Sequence, residues 1–534
     1  MSNNTILEYF VPMPDGTKLY TIVQLPEKGE KFPVIIHRNP YFSCDINFEE
    51  LKSEETFGYA IVTQHCRGTG KSEGVFHAYT NERNDGLALL DWIRQQSFYN
   101  GEIFLNGASY AASVHYAYLD TNPKDIKAAF LGVQDPNRYN ICYRNGFFKP
   151  GLHGNWVLKM YKKNQPIERN FTIDTFRTLP LANITKSVFN EYVPSIENTF
   201  IHPDPNDEYW KTIEGGSDYI NACSNSSMPI LFTTSFYDIY TGGILDMWKN
   251  LSCERKKNCA LVVTPFEHNY NPLETDIKEE LQDFKDGLLR KVCPNLMYDW
   301  FDSVRENKAA PFVEMGKIIY YRLYDNKWIK TPELKNNSCE QILYLSKDRT
   351  LEPTPSKEDT ITYTYNPYNP ANFNGGVCYN FGGVAYQDAP NSRYDIVSFV
   401  SKEITKEVIL EGEIEVKLHC KSTAPDTCFY LRLSLVRNGK AISLRDDIDS
   451  LCRLEKDYTP NEERVLKFTL VYHAFKMLKG DALRLDVSSS CVPHFQVHTN
   501  NKGIQALQTS AQICKNTIIT GKSFIKYFQV EDVN

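Results

Sequence analysis

The sequence predicts a chain in two parts: a mostly parallel α/β sheet interrupted by a helical insertion, then an all-β sandwich. Three observations carry this. Short apolar runs alternate with helical stretches from about residue 30 to 132, and again from 229 to 263. Between them, residues 137–226 are rich in aromatics and show no strand alternation. From about residue 350 onward, strand follows strand. The expected boundaries are 1–136 and 227–349 for the two α/β parts, 137–226 for a helical cap, and 350–534 for a β-sandwich of the jelly-roll kind.

Phe32 to Ile36 and Tyr59 to Val62 are continuous apolar runs, as strands buried on both faces require. Arg83 to Gln96 places Leu87, Leu90 and Ile93 at helical spacing. Glu102 to Leu105 reads as a strand, 111–120 as a helix and Lys127 to Val133 as a further strand, giving a βαβα rhythm. The insertion carries helical pieces at Trp156 to Lys163 and Asn206 to Ile213. The rhythm resumes with strands at Pro229 to Phe232 and Ala260 to Val263, around a helix at Ile244 to Leu251.

In the last third, Phe429 to Val436 and Lys440 to Leu444 flank Asn438 and Gly439, a pair suited to a type I′ hairpin turn. Val465 to Val471 and Leu483 to Val487 are further strands. Asn366 to Pro370 and the pairs Gly375–Gly376 and Gly382–Gly383 punctuate the approach to this half.

Bulk properties exclude several classes. The 534 residues are 42% hydrophobic and 23% charged, as in a soluble globular protein. The net charge of −7 comes with no basic block, which argues against a nucleic-acid partner. Residues 1–10 lack the basic and apolar regions of a signal peptide, and no stretch is long and apolar enough for a membrane span. The 14 cysteines include no C-x-x-C pair, so the expectation is reduced thiols in a cytoplasmic protein, with no metal and no organic cofactor.

The chemistry centres on Asn106 to Ala111, which follows a strand and opens a helix. That is the setting of a nucleophile elbow, with Ser109 exposed on a sharp strand-to-helix turn. Gly107 supplies the small residue two before the serine; Ala111 stands where glycine is usual two after it. An ordinary βα loop with a small serine is the alternative. In an α/β-hydrolase the acid and then the histidine follow, each past a later strand. Asp238 and His268 occupy those places in that order, whereas the rival acid Asp246 lies in a helical stretch.

An oxyanion also needs two donors, one of them normally the N–H after the nucleophile, here Tyr110. The loop after the earlier strand, His37 to Tyr41, has no glycine run. It offers the phenol of Tyr41, which on local grounds alone reads first as a packed aromatic after a proline.

Together these segments resemble the cocaine-esterase-like acyl esterases, relatives of the X-Pro dipeptidyl-peptidases and the α-amino-acid ester hydrolases. The matching stretches are Arg38 to Tyr41, Cys66 to Gly74, Gly107 to Tyr110, Asp207 to Trp210, Phe236 to Asp238, Thr264 to His268 and Leu483 to Ser490. The resemblance implies an α/β-hydrolase domain with a helical cap and a C-terminal jelly roll. It implies the triad Ser109, Asp238 and His268, and an oxyanion role for the Tyr41 hydroxyl. The chain departs from the pattern at Ala111, at His65 (usually Asp) and at Glu267 (usually small or hydroxyl-bearing). Glu267, Phe236 and Trp156 are candidate walls of the substrate pocket.

The expected reaction is hydrolysis of a carboxylic ester, or of an amide, through an acyl-enzyme. The nearest alternatives are release of X-Pro dipeptides and hydrolysis of α-amino-acid esters, both of which need carboxylates to bind a substrate ammonium. A third is a carbohydrate-binding protein with an inactive hydrolase domain, which a missing triad member would favour. The expected partner is a small-molecule ester or short peptide, with no membrane or nucleic acid; self-association as a homo-oligomer accords with the family.

Overall fold

β-Branched and aromatic runs with apolar neighbours on both faces build the first sheet. The computed structural model describes residues 3–530, apart from 42–45, 162–169, 213–218, 269–288, 337–338, 377–382 and 455. The early strands are β1 (Thr5–Pro12), β2 (Lys18–Leu25), β3 (Phe32–Asn39), β4 (Ala60–His65), β5 (Tyr99–Ala108) and β6 (Ile126–Gly132). A small hairpin, β7 (Tyr143–Arg144) and β8 (Phe147–Phe148), precedes β9 (Ile230–Ser235), β10 (Cys259–Thr264), β11 (Ile318–Arg322) and β12 (Lys327–Thr331). Ten strands join in the order β1-β2-β4-β3-β5-β6-β9-β10-β11-β12. From β4 to β11 every pairing is parallel.

The pleat explains the continuous apolar runs. Val34 and Ile36 face one core together with Ile103 and Leu105. The alternating residues Ile35 and Phe104 face a second core with Trp300 and Phe301. β9 and β10 are buried at every position. The antiparallel edges β1–β2 and β11–β12 were not legible in the sequence, because β1 and β12 are half exposed and carry a weak pattern.

Between β6 and β9 the described residues form short helices, among them Asn155–Tyr161, Pro194–Phe200, Glu208–Thr212 and Tyr219–Asn225. The predicted ends of two of these, at Lys163 and Ile213, lie outside the described residues. The absence of strands expected here is corrected by the β7–β8 hairpin. Its turn residues Asn145 and Gly146, at φ 48° and 82°, are an Asn-Gly signal like the one read at 438–439.

The second sheet contains β13 (Cys339–Leu345), β14 (Thr350–Glu352), β15 (Asp359–Tyr365), β16 (Val397–Ser401), β17 (Val408–Ser422) and β18 (Cys428–Arg437). It continues with β19 (Lys440–Ser450), β20 (Arg464–Met477), β21 (Ala482–Ser488), β22 (Cys514–Thr520) and β23 (Phe524–Gln529). Asn438 and Gly439 take φ 51° and 75° and close the β18–β19 hairpin, as the turn chemistry predicts. The sheet starts earlier than the expected residue 350, since β13 already pairs with β23 and β14. Gly382, of the second predicted glycine pair, lies outside the described residues.

The two sheets meet along β20 and the β18–β19 hairpin. Leu323 exchanges backbone hydrogen bonds with β20: its N–H donates to Ala474 O at 3.0 Å and its carbonyl accepts from Lys476 N at 2.9 Å. Arg144 makes a paired contact with Asp447 at 2.8 Å. The Tyr237 hydroxyl donates to Ser443 O at 3.0 Å. The loop after β9 is therefore held from the C-terminal side.

Candidate active site

β5 ends and a helix, Tyr110–Tyr116, begins within one residue, and that residue is Ser109. Ser109 has φ 57° and ψ −132°, a conformation that costs a non-glycine residue of order 1–3 kcal/mol. Its N–H donates to Gly132 O at 2.9 Å and its carbonyl accepts from Ala112 N at 2.8 Å, so neighbouring backbone enforces the turn. A Cβ on Gly107 would lie 2.0 Å from the Ala111 carbonyl oxygen. Glycine is required there, whereas Ala111 itself is buried without conflict.

The turn presents the Ser109 hydroxyl to His268. Nε2 of His268 lies 3.0 Å from Ser109 Oγ, and Nδ1 lies 3.1 Å from Oδ1 of Asp238. With the carboxylate as acceptor, Nδ1 carries the proton and the Nε2 lone pair faces the serine, an assignment made from the hydrogen-bond network. Asp238 is buried. Its Oδ1 also accepts from Tyr240 N at 3.0 Å and its Oδ2 from Thr234 Oγ1 at 3.4 Å, which fixes the carboxylate plane. The rival acid Asp246 is exposed in the helix Thr241–Asn250.

Ser109 opens onto a cavity of about 310 Å³ walled by Tyr41, Tyr79, Tyr110, Trp156 and Tyr240, with Lys159 also lining it. The indole of Trp156 stacks on Tyr110 at 5.4 Å. Its Nε1–H donates to the Tyr41 hydroxyl at 3.2 Å, and Tyr41 N donates to Asn39 Oδ1 at 2.8 Å. The backbone N–H of Tyr110 is the first amide of its helix and has no acceptor within that helix.

The Tyr110 side chain belongs to a buried network that the sequence did not disclose. Its hydroxyl donates to Glu82 Oε1 at 2.7 Å and accepts from Tyr79 N at 2.9 Å. Glu82 pairs with Arg38 at 3.2 Å, and Arg38 also donates to Gln64 at 2.9 Å. Burial of the Tyr110 phenol and the nearby Glu82 carboxylate push its pKa well above the ordinary value. Arg38 stood within a stretch of family resemblance, but only a fold could pair it with Glu82.

Of the expected pocket walls, Trp156 lines the cavity and the other two do not. Phe236 is buried behind the acid loop, its ring edge-on to His473 at 4.9 Å and its carbonyl taken by Arg445. The side chain lies under β20, so it packs the domain junction. Glu267 is buried as well, neither a rim residue nor a solvated loop carboxylate. Burial pushes its carboxyl up to about 7, with His268 pulling it down and Asp238 adding to the rise. His65, the other departure, is buried against Lys71 N at 3.3 Å, with Tyr20 edge-on to its ring at 5.0 Å. Among the described residues no group of His, Cys, Asp or Glu could hold a metal ion.

Comparison with known proteins covers most of the chain. Residues 15–270 match the X-Pro dipeptidyl-peptidase (S15 family), and residues 313–527 match the X-Pro dipeptidyl-peptidase C-terminal non-catalytic domain. Cocaine esterase of Rhodococcus sp. (strain MB1 Bresler) is 22% identical over 557 residues, covering 94% of each chain. Among solved structures, an α-amino acid ester hydrolase superposes with a TM-score of 0.81 at 18% identity, covering 99% of this chain and 97% of that one. An aminopeptidase from a marine sediment archaeon, Thaumarchaeota archaeon, superposes at 0.80 with 16% identity and the same coverage. At these identities the superpositions speak for the fold alone.

Proposed function

Because the chain belongs to the cocaine-esterase and X-Pro dipeptidyl-peptidase family, we propose that it is a serine hydrolase that cleaves a carboxylic ester, or an amide, through an acyl-enzyme. The observation that carries this is Ser109, held in a strained turn with its Oγ 3.0 Å from His268 Nε2. Ser109 Oγ bonds to the substrate carbonyl carbon as Nε2 takes its proton, and Asp238 stabilises the imidazolium through Nδ1–H. The developing oxyanion accepts from Tyr110 N–H and the Tyr41 hydroxyl. Accepting from Trp156 engages a lone pair of that hydroxyl and leaves its proton directed elsewhere. The imidazolium returns the proton to the departing alkoxide or amine. Water then repeats the sequence on the acyl-enzyme, releasing the acid and restoring Ser109.

In this reading, residues 1–136 and 227–338 form the hydrolase domain, 137–226 a helical cap over the cavity, and 339–534 a jelly roll. The described cysteines are free thiols, and no described helix is long and apolar enough to cross a membrane. No metal or organic cofactor enters the scheme, and a homo-oligomer accords with the family. Release of X-Pro dipeptides or hydrolysis of α-amino-acid esters is the second reading, supported by the family match. Both require carboxylates at a substrate ammonium, and none of the described cavity walls is Asp or Glu. A carbohydrate-binding protein with an inactive hydrolase domain is disfavoured by the intact Ser109–His268–Asp238 contacts.

The test is a side-by-side assay of 4-nitrophenyl esters and Xaa-Pro-anilides with wild type and Ser109→Ala. Ester turnover that vanishes in Ser109→Ala supports the proposal. Turnover confined to Xaa-Pro-anilides would transfer the assignment to the peptidase, and ester turnover unchanged in the variant would remove Ser109 from the chemistry.

A further inference from the structure

Among the described residues that line the cavity, Lys159 is the one with a permanent charge. It lies on the helix Asn155–Tyr161, three residues after Trp156 and so on the same helical face. Lys159 is exposed and makes no ion pair with any described carboxylate. A second cation stands behind the wall. The buried guanidinium of Arg138 lies 3.8 Å from the ring centroid of Tyr79 and donates to Cys142 Sγ at 2.9 Å, with no described carboxylate as partner. Asp238, hydrogen-bonded to His268, and the buried Glu267 are not among the described residues that line the cavity.

Low-dielectric walls focus the field of such a charge into the cavity. They also suit a planar or apolar acyl group. Lys159 would attract a substrate carboxylate and repel a substrate ammonium there. We infer that the cavity takes the acyl part of an ester that bears a carboxylate beyond an aromatic or apolar spacer, with Lys159 as its counter-charge. This rests on the hydrolase reading above and narrows it to anionic acyl esters.

The test uses the full chain and size-matched 4-nitrophenyl esters of 4-methylbenzoate, of terephthalate with its second carboxylate free, and of 4-(aminomethyl)benzoate. The expected order of kcat/KM is terephthalate, then methylbenzoate, then aminomethylbenzoate. Lys159→Met should lower the terephthalate-to-methylbenzoate ratio by about 5-fold, the scale of one partly screened charge pair. Lys159→Glu should lower it further and raise the aminomethyl ester. The wild-type preference should also weaken as ionic strength rises, which needs no variant. Fluorophosphonate labelling of Ser109 checks that each variant is folded.

A ratio unchanged in Lys159→Met and insensitive to salt, with all esters turned over, would overturn the inference and leave the hydrolase reading standing. No turnover of any ester by a folded wild type would overturn the hydrolase reading, and this inference with it.

Discussion

The indole Nε1–H of Trp156, on a helix of the insertion, donates to the hydroxyl of Tyr41, in the loop after β3, at 3.2 Å. The contact ties the inserted helices to the group proposed as second oxyanion donor. Tyr41→Phe keeps the ring and deletes the donor. Its kcat should fall by about 10²–10³-fold. KM should change little, because the charge exists in the transition state and hardly in the bound ester. Trp156→Phe keeps the Tyr41 hydroxyl and should lose less. Steady-state kinetics on protein with wild-type circular dichroism makes the comparison; an unchanged kcat in Tyr41→Phe would reduce Tyr41 to a wall residue.

Glu267 gives a pH signature. Ionised, it favours the imidazolium form of His268, so the acid limb of kcat/KM should lie at higher pH in wild type than in Glu267→Gln. The same group affects stability. A carboxyl raised to about 7 on folding prefers its protonated form in the folded chain. Its destabilising contribution is absent below the ordinary carboxyl range, grows as pH rises towards about 7 and stays constant above that. The Tm gain of Glu267→Gln should therefore be larger at about pH 8 than at about pH 5. Coincident acid limbs and equal Tm differences would show that the carboxyl titrates independently of folding and of His268.

Gly107 and Ala111 should respond very unequally to a one-carbon change. Gly107→Ala drives a Cβ to 2.0 Å from a backbone oxygen, so the chain should lose more than about 3 kcal/mol or fail to fold. Ala111→Gly costs only helix propensity, about 1 kcal/mol. Thermal unfolding of the two variants separates these cases, and a stable, active Gly107→Ala would mean the turn is looser than its geometry.

The C-terminal sheet reaches the acid loop through Arg445, a buried residue that donates to the carbonyls of Phe236 and, at 3.2 Å, of Tyr472. Arg445→Met leaves two buried carbonyls without these donors, at about 1–3 kcal/mol each before relaxation. The Phe236 carbonyl lies two residues before Asp238, so kcat should fall together with Tm. A Tm loss with full activity would make Arg445 a purely structural contact.

Much of this was legible in advance, for identifiable reasons. Buried parallel strands such as β9 and β10 write themselves as apolar runs, and strand-end positions placed Ser109, Asp238 and His268 in order. The Asn438–Gly439 turn was readable because only a few residues tolerate its φ values. What escaped depends on distant partners. The half-exposed β1 carries little pattern until β2 is beside it. The pairing of Tyr110 with Glu82 and Arg38 joins three separate elements. Phe236 was expected as a pocket wall, but β20 covers its side.

The most direct test of the central claim is the site of covalent labelling by a fluorophosphonate. Peptide mapping should place one adduct on Ser109, and labelling should be lost in Ser109→Ala and suppressed in His268→Ala. An adduct on Ser113, buried in the helix that follows, or on any other serine, would contradict the assignment of Ser109 as the nucleophile.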